Sequence, residues 1–206
     1  PTNSSKLPSG IPAIVADVKL WLDATNMDGQ NNTTIANGNS VDKWKDLSGN
    51  SFHATASNGK PTYPQDSLLN KQVMKFSKSE SDTMLVDDGL NIQNENYDIF
   101  IVERYNNYSG GGRSLQSGDN NWLLGLWGSQ YGFYTNGWLG YYSADNNWHL
   151  INGKSIGTET LYFNGAFRKT INSGSGRPYR LAINGGGMYA GYSDPSIAEL
   201  LYLTRC

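Results

Sequence analysis

Residues 121–142 read NWLLGLWGSQYGFYTNGWLGYY, and eight of these residues are aromatic. A membrane segment, a sugar-stacking surface and the interior of a β-sheet share such a composition. A spanning helix needs about 20 consecutive apolar residues, and Gly, Gln, Ser and Asn interrupt this run, so membrane insertion is not expected. Strand alternation reads better. In NWLLGLW, Trp122, Leu124 and Leu126 fall on one face, and Asn121, Leu123, Gly125 and Trp127 on the other. Farther on, Tyr131 and Phe133 oppose Gly132 and Tyr134, and Trp138 and Tyr142 oppose Leu139 and Tyr141. A central strand buries one face, so Trp122 is expected in the core. Trp127, Tyr134 and Tyr141 are expected on the opposite face or its rim, where glycines leave room for curvature or a ligand.

The rest of the chain follows the same pattern. Short apolar runs alternate with turn residues, and helical periodicity is almost absent. Candidate strands include KLWLDA (19–24), TMLV (83–86), DIFIVERY (98–105), WHLING (148–153), ETLYF (159–163), YRLAI (179–183) and IAELLYL (197–203). Asn164-Gly165 in LYFNGAFRK is a strong signal for a type I′ hairpin, and Asn136-Gly137 repeats it. The fold expected is all-β, a two-sheet antiparallel jelly-roll sandwich. The 24 Gly supply its tight turns. A single unit over residues 17–206 is expected, behind a lead-in over 1–16 whose PTNSSKLPSGIP reads as a linker in a longer chain. The net charge is −2 without any Lys/Arg cluster, so no nucleic acid partner is expected. Cys206 stands alone, which excludes an intramolecular disulfide and a Cys-based metal site.

LWLDA (20–24), WKDLSGNSFHA (44–54), PTY (61–63) and VMKF (73–76) occur in order, followed by DIFIVERY, NNWLLG (120–125), NNWHL (146–150), LYFNG (161–165) and SIAELLYL (196–203). This series, over residues 17–205, resembles laminin-G-like domains of the concanavalin A-like lectin/glucanase superfamily. The resemblance implies a sandwich of two curved antiparallel sheets. It implies little chemistry, since the fold carries lectins, lyases, glucanases and inert spacers. Related domains occur in bacterial surface proteins and phage structural proteins, which implies an extracellular, cell-surface or virion setting. In the resembling domains WxDxSG is a structural turn, which implies that Asp46 and Ser48 hold a loop against the sheet.

Catalysis is not expected. Retaining glycosidases need two carboxyl groups about 5–5.5 Å apart. The glutamates here are Glu80, Glu95, Glu103, Glu159 and Glu199, too dispersed for one strand to carry a pair. A lyase would need a His and a Tyr on facing strands. His149 with Tyr131 or Tyr141 is the nearest approach, and the strings Gln-Ile-His and Tyr-Phe-Lys-x-Gly are missing. Ser48 lacks a nucleophile elbow.

Binding is the better reading. Sugars are held by an exposed ring stacked on the pyranose face, with polar groups for the hydroxyls. YNNYSGGGRSLQSGDNNW (105–122) reads as a rim loop offering Tyr105, Tyr108, Arg113, Asp119 and Asn121. GSQYGFYTNGW (128–138) and its neighbours add Trp127, Tyr131, Tyr134 and Tyr141. Calcium is a candidate cofactor at NMDGQNNTT (26–34), where Asp28, Asn31 and Asn32 provide oxygens. A second option joins Asp119 and Asn121 to Asp145 and Asn147. Two functions follow from these residues. One is a non-catalytic extracellular recognition module whose partners are glycans. The other is a structural display domain whose partners are neighbouring domains of a surface or virion assembly. A polysaccharide lyase or glycosidase ranks third.

Overall fold

A computed structural model describes residues 18–92, 96–107, 111–172, 177–189 and 191–205. The lead-in over 1–16, Tyr108 and Cys206 lie outside the described residues. In chain order the early strands are β1 (Val18–Asp23), β2 (Lys43–Trp44), β3 (Ala54–Asn58), β4 (Gln65–Asp66), β5 (Lys71–Gln72), β6 (Met74–Lys75) and β7 (Thr83–Val86). The central strands are β8 (Asn96–Tyr105), β9 (Gly111–Ser117), β10 (Trp122–Gly128), β11 (Gln130–Thr135) and β12 (Trp138–Ser143). The last are β13 (His149–Ile156), β14 (Thr158–Phe163), β15 (Ala166–Ile171), β16 (Leu181–Ile183) and β17 (Pro195–Arg205).

They form two large antiparallel sheets, as the alternating pattern requires. The first runs β1-β17-β8-β13-β14-β15, with β6 beside β17. The second runs β12-β11-β10-β9-β16-β7-β3-β2. A small β4-β5 hairpin stands apart. The only helical piece among the described residues is a 3-10 turn over Ala24–Asn26, and no described helix is long and apolar enough to cross a membrane.

One continuous core lies between the sheets. Trp122, Leu124, Phe133, Leu115, Ile183 and Met84 enter it from the second sheet, and Tyr97, Ile99, Ile101, Ile151, Leu161 and Leu200 from the first. Trp122 faces the core, as its alternation predicts. Asn164 and Gly165 both take positive φ between Phe163 and its partner Ala166, the backbone of a type I′ turn. At the second Asn-Gly only Asn136 does so, and Tyr134 pairs Trp138 across a longer loop.

The Trp44–Gly49 turn does structural work. Asp46 Oδ1 accepts from the Trp21 and Ser48 amides at 2.9 Å each, and Oδ2 accepts from the Phe52 amide at 3.0 Å. His53 Nδ1 accepts from the Asp46 amide at 3.1 Å.

Candidate functional site

A single register row crosses all eight strands of the second sheet on the face turned away from the core. It runs Trp138–Tyr134–Leu123–Gln116–Ala182–Leu85–Thr55–Lys43. Alternate positions along the same strands supply the core, so these side chains are directed outward by the period of two. The row is aromatic at the β12 end and charged at the β2 end.

Three rings cluster at the aromatic end. Trp127 is 40% exposed. Its ring centroid lies 4.9 Å from that of Trp138, and Trp138 lies 5.2 Å from Tyr134 in an edge-on pair. A Cβ at Gly132 would come within 2.9 Å of the Trp138 ring. The space that the glycine opens is therefore filled by tryptophan, and the glycine serves an aromatic platform.

Trp138 corrects the alternation. An unbroken period groups it with Tyr142, but Leu139 and Tyr142 both meet the core while Trp138 lies outward. Gly140, at φ +89 between them, shifts the parity of the strand. The side chain of Tyr141 lies outside the described residues.

Arg113 borders this platform. On β9 it stands in register with Trp127, and its Nη2 donates to Asn121 Oδ1 at 2.7 Å. The Tyr189 ring covers its guanidinium at 4.6 Å. Burial pulls the guanidinium pKa down, opposed by the nearby Tyr189 and Tyr134 hydroxyls. Tyr189 belongs to a strap, Gly185–Tyr189, laid across the sheet. A Cβ at Gly187 would meet the Gln116 amide carbon at 2.4 Å, and Met188 N reaches the Ser117 carbonyl at 3.4 Å.

The structure thus brings Arg113, Asn121, Trp127 and Tyr134 together. It separates others. Tyr105 and Tyr131, expected as ligand residues, are enclosed at 1% and 0% exposure. Tyr105 is the last residue of β8 and its hydroxyl donates to the Gly128 carbonyl. Tyr131 packs against Tyr105, His149 and Phe163. The Tyr131 hydroxyl donates to the Asp145 carbonyl at 3.3 Å, and His149 Nε2 lies 2.8 Å from Asp145 Oδ1. Asp119 is exposed in the β9–β10 turn. The expected rim loop is in fact strand β9, which places Arg113 within a sheet. Trp138, Gln116 and Tyr189 were missed. Trp138 was visible in the opening stretch but assigned by an unbroken period; Tyr189 reaches the site only through the strap, which has no local signal.

At the calcium candidate, the Asp28 carboxylate is already engaged by its own loop. Oδ1 accepts from the Gln30 and Asn32 amides at 2.7 and 2.8 Å, and Oδ2 accepts from Thr34 N and Oγ1 at 3.1 and 2.6 Å. Burial raises this carboxyl, but the hydrogen bonds from Thr34, Gln30 and Asn32 prevail and hold its pKa at about 2. Asn32 Nδ2 donates to the Ala24 carbonyl at 2.9 Å, and Asn31 is exposed at φ +59. Calcium here must exchange these bonds for its own. In the second option Asn121 serves Arg113 and Asp145 serves His149 and Asn147.

No family model and no curated protein matches the chain. Solved structures do. The binding domain of botulinum neurotoxin serotype D/C matches at TM-score 0.61 and 17% identity, over 93% of this chain and 49% of that one. The binding domain of Paraclostridial Mosquitocidal Protein 1 matches at TM-score 0.63 and 14% identity, over 93% and 50%. Domain 4 of AbnA, a GH43 extracellular arabinanase from Geobacillus stearothermophilus, matches at TM-score 0.62 and 13% identity, over 91% and 92%. The chain thus spans about half the length of the two toxin domains. These likenesses establish the β-sandwich fold.

Proposed function

We propose that this chain is a non-catalytic glycan-binding module of the laminin-G-like type, working outside the cell within a larger surface or virion protein. The observation that carries this reading is the outward platform of Trp127, Trp138 and Tyr134 beside the Arg113–Asn121 pair. Rings of this kind stack on the apolar face of a pyranose, and the neighbouring amide and guanidinium take its hydroxyls. Two fold neighbours support it: the arabinanase domain was solved in complex with arabinotriose, and botulinum neurotoxin type C enters cells through interaction with two ganglioside molecules.

A glycan array probed with the purified chain, with and without calcium, tests this. Binding to a defined glycan set that Trp127→Ala abolishes is the expected result. Signal at background in both conditions overturns the reading. A calcium-dependent signal lost in Asp28→Ala assigns the metal to the 26–34 loop.

Assembly with neighbouring domains is the second reading, favoured by β15. This edge strand of the first sheet is exposed over most of its length, with Phe167 at 59%. An unpaired edge is a template for another chain.

A further inference from the structure

We infer that the glycan taken by this face is acidic, and that Arg113 receives its carboxylate or sulfate group. The inference rests on the glycan-binding reading and adds the chemical class of the ligand.

Arg113 is only 8% exposed. A buried cation is costly unless a counter-charge and hydrogen bonds compensate it. Another largely enclosed arginine obeys that rule: Arg104 pairs with the buried Asp66 at 2.7 Å. Among the described residues no carboxylate pairs with Arg113. Its neighbours are the neutral Asn121 amide and the Tyr189 ring. Its Nη1 is enclosed and has no hydrogen-bond acceptor. A planar fork of this kind matches a carboxylate or sulfate, and one oxyanion supplies both the missing charge and the missing acceptor.

The strap provides a second observation. Gln116 is fully enclosed beneath Gly187, and both its amide nitrogen and its amide oxygen lack partners. Unfilled donors and acceptors at Arg113 and Gln116, three residues apart on β9, therefore both lie under one short segment. In that segment Met188 N reaches the Ser117 carbonyl at 3.4 Å and the Tyr189 ring rests on Arg113, while Met188 is exposed at 56% and Tyr189 at 45%. Turning Tyr189 aside opens the guanidinium toward the Tyr134–Trp138–Trp127 platform. An acidic sugar laid there places its ring on the aromatics and its charge on Arg113.

The test is calorimetric titration with three oligosaccharides of equal length: one neutral, one uronate-bearing and one sulfated. The uronate or the sulfated ligand is expected to bind about tenfold tighter than the neutral one or better, the worth of one charge-assisted contact. The preferred arm identifies the anion. Arg113→Gln is expected to weaken the acidic ligand far more than the neutral one and so erase the preference, and Arg113→Lys to restore it in part. Folding of the variants is checked by circular dichroism. A readout independent of variants is salt: raising ionic strength should weaken only the acidic ligand in the natural protein. Equal binding of all three, or a preference untouched by Arg113→Gln and by salt, overturns the acidic assignment and leaves glycan binding standing. Failure of all three to bind at millimolar concentration overturns both.

Discussion

Trp122 is wholly enclosed, with its Nε1 donating to the Tyr97 hydroxyl at 2.9 Å and its ring edge-on to Tyr97 and Phe133. Trp127, on the same strand, rests on Trp138 and faces outward. Truncation separates the two. Trp122→Ala should destabilise by about 3–5 kcal/mol, the cost of a large cavity in a packed core. Trp127→Ala forfeits one ring contact and should cost about 1 kcal/mol. Chemical denaturation of both variants checks this, and the reverse order would show the facing to be wrong. Glu103 makes the other residue-scale prediction. It is fully enclosed between the sheets, where its Oε1 accepts from the Leu126 amide at 2.9 Å and Oε2 has no partner. Burial pushes its carboxyl from 4.5 up to about 8, against the hydrogen bonds from Ser114 and Leu126. The folded state thus holds a proton that the unfolded chain releases. Its contribution is full below pH 4.5 and is lost as pH rises through 8, at up to ~1.4 kcal/mol per unit. Glu103→Gln should flatten the stability profile between those limits, read from denaturant midpoints at several pH values.

At the scale of elements, β9 carries the weakest strand signal. GGRSLQS lacks an apolar alternation, and its glycines resemble a flexible loop. Their purpose lies elsewhere in the chain: a Cβ at Gly112 would come within 1.9 Å of the Gly191 backbone. Gly112→Ala should therefore force the strand from its neighbour and cost about 1–3 kcal/mol. Faster amide exchange at Gly112, which donates to the Tyr192 carbonyl at 2.7 Å, is the local readout. Gly125 is a second case. At φ +100, where β10 slips register against β9, it turns the Leu126 amide to Glu103 and Ser114. Short apolar runs bounded by turn residues, such as TMLV at β7, are legible to the residue. Strands whose register depends on a bulge are not, because a bulge changes parity without changing composition.

Across the whole molecule, the two sheets are tied by Asp46. It stands between β2 and β3 of the second sheet and accepts from the Trp21 amide of β1 in the first. Asp46→Ala leaves the Trp21, Ser48 and Phe52 amides without their acceptor and should cost roughly 3 kcal/mol. A lowered melting temperature with unchanged far-ultraviolet circular dichroism is the expected outcome. Local alternation, turn residues and the absence of helical period determined the all-β class and the two-sheet sandwich, since each is a property of neighbours in the chain. They also determined which way Trp122 and Trp127 point, because β10 pairs with β11 in unbroken register from Trp122 to Trp127 and the slip at Gly125 falls only on the β9 side. Only the tertiary structure decided the candidate site. Arg113, Gln116, Trp138 and Tyr189 come from two strands and a strap widely separated in the chain, and their meeting depends on strand order and on parity shifts at single glycines. Enclosure of Tyr105 and Tyr131 was likewise invisible locally, because an aromatic ring looks the same in sequence whether a facing sheet covers it or not.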